Sequence, residues 1–411
     1  MNEHLLTLDP QNIPLSLYIH VPWCVKKCPY CDFNSHTLPC GDKHNETGDA
    51  TLADELFDDY VRTLLADAQS QLELVQGRPL TSIFIGGGTP SLLPVAYYKR
   101  LFEGLRNLFV FADDIEITLE ANPGTLEHAP FAQYLALGIN RLSVGVQSFN
   151  DKALKALGRI HSHDEALKAI TSAKQAGFGR INVDLMYGLP EQTPDLAVND
   201  IKTALKAGAT HLSWYQLTIE PSTVFYRQTP VLPDEDTLEL IEGMGRAYLL
   251  SVGFVNYEVS AWVGASDKPC RHNVNYWQFG DYLAIGAGAH GKVSLKDHVQ
   301  YADGVYRFSK SRLPKDYMSY DVYPKMINFE RVGEEHLPFE FMMNALRLAD
   351  GVSTQVFEER TGLLVSTIDN ELLPLQHQGF MVFRPDVLAP TKMGFRYVNH
   401  LVRAFLTEDK E

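Results

Sequence analysis

One local pattern recurs between residues 15 and 225, a short apolar, β-branched run followed by a longer segment of helical periodicity. Strands that alternate with helices in this way predict right-handed crossovers and a parallel sheet. We therefore expect an α/β protein built on a partial (β/α)6 TIM-like barrel, open on one side to admit a large substrate. The predicted strands are LSLYIHV (15–21), SIFIGGG (82–88), EITLEAN (116–122), RLSVGVQS (141–148), RINVDLMYGLP (180–190) and HLSWYQLTIEP (211–221).

The segments between these runs favour helices. DELFDDYVRTLLADAQSQL has apolar residues at 56, 60, 61, 64, 65, 68 and 72, which is a helical period. Two later segments, HDEALKAITSAKQAG and TPDLAVNDIKTALKAG, end on Gly177 and Gly208. Glycine is the residue that helices prefer just past their last turn, so both segments are predicted to stop there.

The rest of the chain divides around this barrel. Residues 1–14 are an N-terminal tail, and residues 226–330 hold two more strand-like segments, expected to cover the open flank, and a Pro- and Tyr-rich connector. Residues 331–411 predict a smaller helical domain with a hairpin-like GFMVFRPDVLAPT, similar to a winged helix. This segment holds fewer Lys and Arg than Asp and Glu, so no nucleic-acid partner is expected.

Composition narrows the class of protein. The chain has 411 residues, 45% of them hydrophobic, and a formal net charge of −15, which argues against general binding of phosphate backbones. We expect neither a membrane span nor a secretory signal, because the sequence has no eighteen-residue apolar run and no basic-then-apolar start. Five cysteines, an odd number with three clustered, do not resemble a secreted disulfide framework, and they favour the cytoplasm.

The cysteine cluster follows the first predicted strand. Cys24, Cys28 and Cys31 in CVKKCPYC can surround one soft metal centre. A structural zinc ion would need a fourth ligand, and a [4Fe–4S] cluster with three cysteine ligands would leave one iron open for an exogenous ligand. The spacing alone leaves both possibilities open. The candidates for a fourth zinc ligand are His20, His36 and Cys40.

Polar residues also stand at the ends of the predicted strands, and in a parallel barrel these ends converge on the face where active sites form. The consecutive glycines of GGGTP would let a small molecule contact the backbone, although they do not form a dinucleotide fingerprint. With Arg159, these residues predict a pocket for a polar nucleoside or an amino acid beside the metal centre. The strand-end residues are Cys24, GGGTP, Glu120, Gln147, Asp184 and Glu220.

Many collinear segments resemble the radical S-adenosylmethionine superfamily, and within it the HemN/HemW group. The resemblance runs from residue 13 to near the C-terminus. It implies a barrel of the radical S-adenosylmethionine type, and cleavage of S-adenosylmethionine to methionine and a 5′-deoxyadenosyl radical after one-electron reduction by the cluster. The matching segments are LYIHVPWC, CDFNSH, FIGGGTPSLL, EANPGT, RLSVGVQSF, LGRIH, NVDLMYGLP, HLSWYQLTIEP, RHNVNYW and GAGAHG.

The resemblance also implies roles for individual residues. Cys24, Cys28 and Cys31 would ligate a [4Fe–4S] cluster whose open iron binds S-adenosylmethionine. The positions that correspond to the lining of this first S-adenosylmethionine are Tyr18, Gly87 and Glu120, with Tyr30 near the adenine. Those assigned in the family to a second S-adenosylmethionine are Gly88, Thr89, Gln147, Arg159 and Asp184. No catalytic residue is assigned.

The HemN/HemW group contains two functions. Its oxygen-independent coproporphyrinogen III dehydrogenases extend the motif to C-x3-C-x2-C-x-C and carry a longer N-terminal segment, whereas this chain has Phe33 at the extra position and only residues 1–14 before its first strand. CDFNSH and the H-N-x-x-Y-W of RHNVNYW instead resemble heme chaperones. These bind heme and pass it to acceptors such as respiratory haemoproteins. We therefore expect a chaperone without dehydrogenase activity, and cluster-dependent dimerisation would be reasonable for this group. The dehydrogenase-like enzyme is the alternative, and a structural zinc protein comes third.

The chemistry of His272 also supports heme binding independently of the resemblance. An imidazole can ligate heme iron, and Tyr276 and Trp277 offer flat apolar faces to a porphyrin. A hydrogen-bonded structural histidine and ordinary core aromatics would give the same sequence. His290 and Cys270 are competing candidates for the ligand.

Overall fold

Strands from both halves of the chain join one mixed sheet. The computed structural model describes residue 6 and residues 8–39, 46–125, 131–319 and 327–406. The strands in these ranges are β1 (Leu15–Val21), β2 (Trp23–Cys24), β3 (His36–Thr37), β4 (Leu80–Gly87), β5 (Phe111–Ala121), β6 (Arg141–Gln147), β7 (Ile181–Tyr187), β8 (His211–Gln216), β9 (Val255–Asn256), β10 (Ala261–Val263), β11 (Asp281–Ile285), β12 (His290–Leu295), β13 (Gly304–Ser309), β14 (Ile327–Arg331), β15 (Val352–Ser353) and β16 (Val387–Leu388).

Helices connect these strands and form most of the C-terminal domain. Short 3-10 helices occur at Pro10–Asn12, Pro90–Leu92, Pro123–Thr125 and Val365–Ile368. The α-helices of the described ranges are α1 (Glu46–Ser70), α2 (Leu72–Val75), α3 (Val95–Leu108), α4 (Phe131–Ala136), α5 (Asp151–Ala156), α6 (His163–Gln175), α7 (Pro194–Ala207), α8 (Val224–Arg227), α9 (Glu235–Ser251), α10 (Arg271–Trp277), α11 (Pro314–Met318), α12 (Leu337–Ala345), α13 (Thr354–Thr361), α14 (Asp369–His377), α15 (Lys392–Arg396) and α16 (Val398–Ala404).

The six predicted strands pair in parallel in the order β1, β4, β5, β6, β7 and β8, which confirms the expected α/β barrel-type fold. The later strands lengthen this sheet at both edges. β11 pairs in parallel with β1 and is followed outward by antiparallel β12, β13 and β14. At the other edge, β10 and β9 continue antiparallel beyond β8.

The parallel strands are apolar because both of their faces are covered. Leu17, Ile19 and Val21 of β1 and Ile83 and Ile85 of β4 are fully buried in one large core. Buried parallel strands characteristically show such near-continuous apolar runs. Each side chain of this size stabilises the fold by roughly 1.5–3 kcal/mol on burial.

Capping residues fix the ends of the crossover helices. The Thr193 side chain accepts from the backbone N–H of Leu196 at the start of α7, and Pro194 occupies the first turn. Gly208 then ends α7 with a left-handed φ of +119°, and its N–H donates to the carbonyl of Ala204, which confirms the predicted stop. Gly177, with φ of +105°, follows α6 in the same way.

The C-terminal domain contributes most of a second hydrophobic core. Phe341, Phe357 and Leu401 are buried where helices α12, α13 and α16 pack together. β15 pairs antiparallel with β16, and Met381 bridges Pro390 across the predicted hairpin-like segment. Helices with a small antiparallel β element agree with the predicted C-terminal architecture. No helix among the described residues is long and apolar enough to cross a membrane.

Candidate functional site

The three clustered cysteines line one pocket of about 130 Å³, here called the thiol pocket. It lies where the parallel strands end, as predicted. Except for Tyr18, every residue that the sequence assigned to the cluster or to S-adenosylmethionine belongs to its wall. The lining residues are Cys24, Lys26, Cys28, Tyr30, Cys31, Phe33, Ser35, Gly87, Gly88, Thr89, Pro90, Glu120, Ala121, Asn122, Ser143, Gly145, Gln147, Arg159, Asp184 and Tyr215.

The cysteine loop is held at both ends. β2 and β3 pair in parallel, with Trp23 opposite His36 and Cys24 opposite Thr37, so the chain that carries the thiols returns to its start. The Asn34 side chain then donates to the carbonyls of Ala287 and Arg312, each at 2.9 Å. The loop is therefore fastened to the segments that follow β11 and β13.

Each thiol of the loop lies beside a hydroxyl or guanidinium group. The Thr89 hydroxyl is 3.5 Å from Cys24 Sγ, Arg159 Nη1 is 3.7 Å from Cys28 Sγ, and the Ser35 hydroxyl is 3.8 Å from Cys31 Sγ. Burial raises the pKa of the Cys24 and Cys31 thiols. Donors facing sulfur favour thiolate, the form that binds metal, so this donor set fits an iron–sulfur cluster.

The glycines after β4 let the strand end approach the cysteine loop. A Cβ on Gly88 would lie 2.6 Å from the Trp23 carbonyl oxygen, and one on Gly87 would lie 2.8 Å from His20 Cε1. Both distances are too short for any side chain. The sequence interpretation, in which the glycines make room for a ligand, is therefore incomplete, because close packing of the chain on itself already requires them.

Two half-buried carboxyl groups line the thiol pocket. Glu120 accepts a hydrogen bond from the Gly87 N–H at 3.2 Å, and burial together with nearby Asp184 raises its pKa to about 8. Asp184 accepts from Asn182 Nδ2 at 2.8 Å, and burial raises its pKa too. A cationic ligand would favour the ionised carboxylates, which suits the ammonium and sulfonium groups of S-adenosylmethionine. Asp184 lies in the middle of β7 rather than at its predicted end.

Gln147 ends β6 in a strained conformation. Its φ of +71° is left-handed, which is uncommon outside glycine. The Tyr215 hydroxyl donates to Gln147 Oε1 at 2.9 Å and holds the amide at the pocket wall. Such strain, maintained by the surrounding structure, is frequent at functional sites. Glu220, in contrast, lies outside the wall of the thiol pocket.

The described residues do not favour a closed zinc site. No group of three or more His, Cys, Asp or Glu side chains among them, the three thiols included, is placed to hold a single metal ion, so the four-ligand site that zinc needs is not assembled there. Both ring nitrogens of His20 already have partners, the Tyr18 hydroxyl and the Asn34 carbonyl, each at 2.9 Å. Cys40, another predicted candidate for the fourth ligand, lies outside the described residues.

A second and larger cavity of about 610 Å³, here called the histidine cavity, adjoins the thiol pocket. Phe33, Gly87 and Glu120 belong to the walls of both. The lining residues of the histidine cavity are Tyr18, His20, Phe33, Asn34, Gly87, Glu120, His272, Tyr276, Tyr282, Gly288, His290 and Arg312. Tyr18, predicted beside S-adenosylmethionine, therefore lines this cavity instead of the thiol pocket.

His272, on α10, lines this cavity and has one ring nitrogen without a partner. Its ring stacks on Phe84 at 5.0 Å between centroids, and its Nδ1 is buried without a hydrogen-bond partner. Burial lowers the pKa of His272 to about 4, so the imidazole is neutral at pH 7 and has a lone pair to offer a metal.

Only some of the other predicted heme contacts line the histidine cavity. Tyr276 and His290 line the histidine cavity, but Trp277 packs against the C-terminal core, where Arg347 lies 4.6 Å from its ring centre. Because α10 turns about 100° per residue, its neighbours Tyr276 and Trp277 cannot face the same side. Cys270 is buried outside the cavity, 3.5 Å from Glu116 Oε1, and burial raises the pKa of its thiol to about 12.

Comparison with known proteins places the chain in a family. Residues 18–204 match the radical SAM superfamily, and residues 332–397 match the HemN C-terminal domain. A protein of Haemophilus influenzae named heme chaperone HemW is 44% identical over 97% of this chain and 100% of its own length. The chain belongs to the HemW family. An Escherichia coli protein of the same name is 43% identical over 96% of this chain and 99% of its own length.

A solved structure shares the fold of this chain. The coproporphyrinogen III oxidase HemN from Escherichia coli superposes with a TM-score of 0.76 over 97% of this chain and 91% of that one, at 22% identity. This likeness concerns the fold alone. Membership of the radical SAM superfamily implies an iron–sulfur cluster and S-adenosylmethionine.

Sequence reasoning missed several polar residues of the thiol pocket, among them Asn122, Ser143 and Tyr215. Asn122 lies between Thr89 and Arg159, Tyr215 holds Gln147, and the Ser143 hydroxyl donates to Asp184 Oδ2 at 3.2 Å. A signal for the strand residues was available, because Ser143 and Tyr215 are polar positions within otherwise apolar runs. Asn122 stood in EANPGT, where it could equally have been a turn residue.

Proposed function

We propose that this protein is a heme chaperone that binds heme and passes it to acceptor haemoproteins. The observation that carries the proposal is the histidine cavity, where a neutral imidazole with an unpartnered nitrogen lies beside the thiol pocket. Two relatives named heme chaperone HemW, matching nearly the whole chain, support the same reading. The acceptors proposed are respiratory haemoproteins.

Within this function, Cys24, Cys28 and Cys31 ligate a [4Fe–4S] cluster and the thiol pocket receives S-adenosylmethionine. Thiols faced by donors and a pair of half-buried carboxyl groups support this assignment. When bound, the two cofactors supply one-electron reduction of the sulfonium. Glu120 and Asp184 would hold the cationic groups of S-adenosylmethionine, and Gln147 and Tyr215 would supply hydrogen bonds at the wall.

The histidine cavity receives the heme in this proposal. His272 ligates the iron, and Tyr276, Tyr282 and Phe33 provide the aromatic surfaces on which a porphyrin packs. Arg312 lines the same cavity and is suited to the carboxylates of the propionate side chains. The cavity volume lies within the usual range of sites that enclose a cofactor.

The setting proposed for this function is the cytoplasm, where thiols stay reduced. Cys24, Cys28, Cys31 and Cys270 form no disulfide among the described residues, which agrees with a reducing compartment. We also propose that the cluster-loaded protein forms a homodimer. Size-exclusion chromatography with light scattering, before and after cluster reconstitution, would measure this.

Hemin binding tests the proposed function. Apo-protein titrated with hemin should give a saturable Soret band, and His272→Ala should weaken binding at least tenfold, because the axial ligand is lost. His377→Ala, which removes an exposed histidine of the C-terminal domain, is the matched control and should bind like wild type. Repeating the titration with the cluster in place would show whether the two cofactors bind together.

Two results would contradict this proposal. One is the absence of saturable hemin binding, or binding that is equally tight in wild type and His272→Ala. The other is the conversion of coproporphyrinogen III to a decarboxylated product by the anaerobically reconstituted protein with dithionite and S-adenosylmethionine. That product would identify a radical enzyme of porphyrin synthesis.

A further inference from the structure

Two of the three cysteine thiols are connected by an arc of hydrogen bonds that crosses the thiol pocket wall. From Cys24 the arc passes through the Thr89 hydroxyl, the Asn122 amide and the Arg159 guanidinium to Cys28. Asn122 is the central residue of this arc. Its contacts here are with Thr89 and Arg159, and these two residues contact the sulfurs.

The Asn122 amide orients Thr89. Asn122 Nδ2 donates to Thr89 Oγ1 at 2.8 Å, so the hydroxyl oxygen accepts on that side. A hydroxyl has one proton, and with its oxygen already accepting from Asn122, that proton can point towards Cys24 Sγ at 3.5 Å. The amide thus turns Thr89 into a donor to the sulfur.

The other end of the same amide orients Arg159. Asn122 Oδ1 accepts from Arg159 Nη2, which also donates to the Gly145 carbonyl at 2.5 Å. With Nη2 held twice, the planar guanidinium presents Nη1 to Cys28 Sγ at 3.7 Å. The neighbours also determine the amide orientation, since a flipped Asn122 would point its NH₂ group at the guanidinium, which has only donors.

Space around the arc is limited. A Cβ on Gly145 would lie 3.1 Å from Asn122 Oδ1 and 3.6 Å from Arg159 Nη2. Arg159 is half-buried and its Nε is enclosed without a hydrogen-bond partner, so solvent screens its charge only in part. A guanidinium held at a fixed distance from a thiolate acts electrostatically on that sulfur.

We infer that Asn122 is a positioning residue that raises the reduction potential of the cluster, by holding Thr89 and Arg159 as hydrogen-bond donors to the Cys24 and Cys28 sulfurs. Donors to the sulfurs stabilise the more negative, reduced cluster, and they are one of the factors that set iron–sulfur potentials. The resemblance assigned Thr89 and Arg159 to S-adenosylmethionine alone. The inference rests on the proposed ligation of a [4Fe–4S] cluster by the three cysteines.

The test is a potentiometric titration of the anaerobically reconstituted full-length protein, followed by the electron paramagnetic resonance signal of the reduced cluster. Asn122→Ala should shift the midpoint to a more negative potential. Thr89→Val, which keeps the side-chain shape and removes the hydroxyl, should shift it in the same direction by less. The double variant should shift it by less than the sum, because Asn122 acts partly through Thr89.

Asn140→Ala is the matched control. Asn140 also hydrogen-bonds across this part of the sheet, to the Ile117 N–H and the Ile115 carbonyl at 2.8 Å, but it does not line the thiol pocket. Its loss should lower thermal stability and leave the cluster potential unchanged. A purely structural role of Asn122 would make the two variants alike.

The positioning role of Asn122 and the ligation of the cluster fail in different experimental results. Wild-type potentials in both Asn122→Ala and Thr89→Val would overturn the positioning role while leaving cluster ligation intact. If Asn122→Ala takes up no iron, Thr89→Val decides alone, and an unshifted potential overturns the inference. A wild-type chain that assembles no cluster under reconstitution overturns the proposed ligation and the inference with it.

Discussion

The thiol pocket and the histidine cavity share part of a wall but differ in how they are prepared for a ligand. In the thiol pocket the polar groups hold one another, as in the contacts from Thr89 through Asn122 to Arg159. In the histidine cavity the walls are largely aromatic, and the Nδ1 of His272 is buried without a partner. The first site is preorganised by hydrogen bonds, while the second is defined by its aromatic walls and contains a buried imidazole nitrogen without a partner.

This difference matches the different demands of S-adenosylmethionine and of heme, the ligand proposed for the histidine cavity. A small, charged molecule such as S-adenosylmethionine is positioned by many directional contacts, so its site benefits from rigid donors and acceptors. A flat, mainly apolar molecule that must later be released is better served by surface contact and few directional bonds. The comparison gives three predictions, ordered by the size of the expected effect.

The largest expected effect is the complete loss of the cluster. Cys28→Ser should reduce iron and acid-labile sulfide of the reconstituted protein to background, because two remaining thiolates cannot retain the cluster. Cys270→Ser is the control, since Cys270 is buried away from both cavities, and it should keep its iron. Hemin binding to Cys28→Ser should persist if the histidine cavity works by itself. Equal iron loss in both variants would mean that the loss is not specific to the thiol pocket.

A second effect concerns the pH dependence of apo-protein stability. The ordinary pKa of 6.5 falls to about 4 in folded His272, mainly through burial, with Glu116 opposing and Arg141 adding to the shift. Between these values the unfolded chain binds a proton that the folded chain does not, so stability declines as the pH falls from 6.5 to 4. Relative to His272→Gln, wild type should lose roughly 3 kcal/mol more over this interval.

Urea denaturation of both proteins across that pH range measures this difference. His20 and His161 also have pKa values lowered to about 4, but their contributions are common to both proteins and cancel. Parallel stability curves would mean that His272 is solvated or partnered in solution, and the histidine cavity would no longer differ from the thiol pocket in that respect.

The smallest effect tests the charge of the histidine cavity. Arg312→Gln should weaken hemin binding about tenfold, equivalent to about 1.4 kcal/mol, because a propionate loses its charged partner. Binding of hemin dimethyl ester, which carries no carboxylate, should not change. Arg62→Gln, at an exposed arginine of α1, is the matched control. If the ester is weakened as strongly as hemin, Arg312 acts through packing instead of charge.

Much of the fold could be predicted from the sequence. β1 covers the predicted residues 15–21, and Gly208 ends α7 where the pattern placed the stop. These features depend on local chemistry, namely apolar periodicity and the backbone freedom of glycine. The parallel pairing of β11 with β1 was not predicted. The two strands lie far apart in the chain, and the sequence of neither strand shows which strand it pairs with.

The sequence predicted which residues belong to the candidate site better than it predicted where they lie. The resemblance identified most of the residues of the thiol pocket, yet Tyr18 lies in the histidine cavity and Trp277 packs on the C-terminal core. Asp184 reaches the pocket from the middle of its strand. Where a side chain points depends on the registers of neighbouring strands and on the turn of α10, which the identity of the residue does not reveal.

The sequence by itself determined the parallel α/β architecture, the three-thiol loop and the family, because repeated periodicity and short motifs are local properties. Only the tertiary structure decided that Arg159 meets Cys28, 131 residues away in the chain, with Asn122 between Arg159 and Thr89. It also decided that His272 keeps a free nitrogen beside that site. Such contacts follow from which strand ends the sheet brings together, and that arrangement is a property of the whole fold.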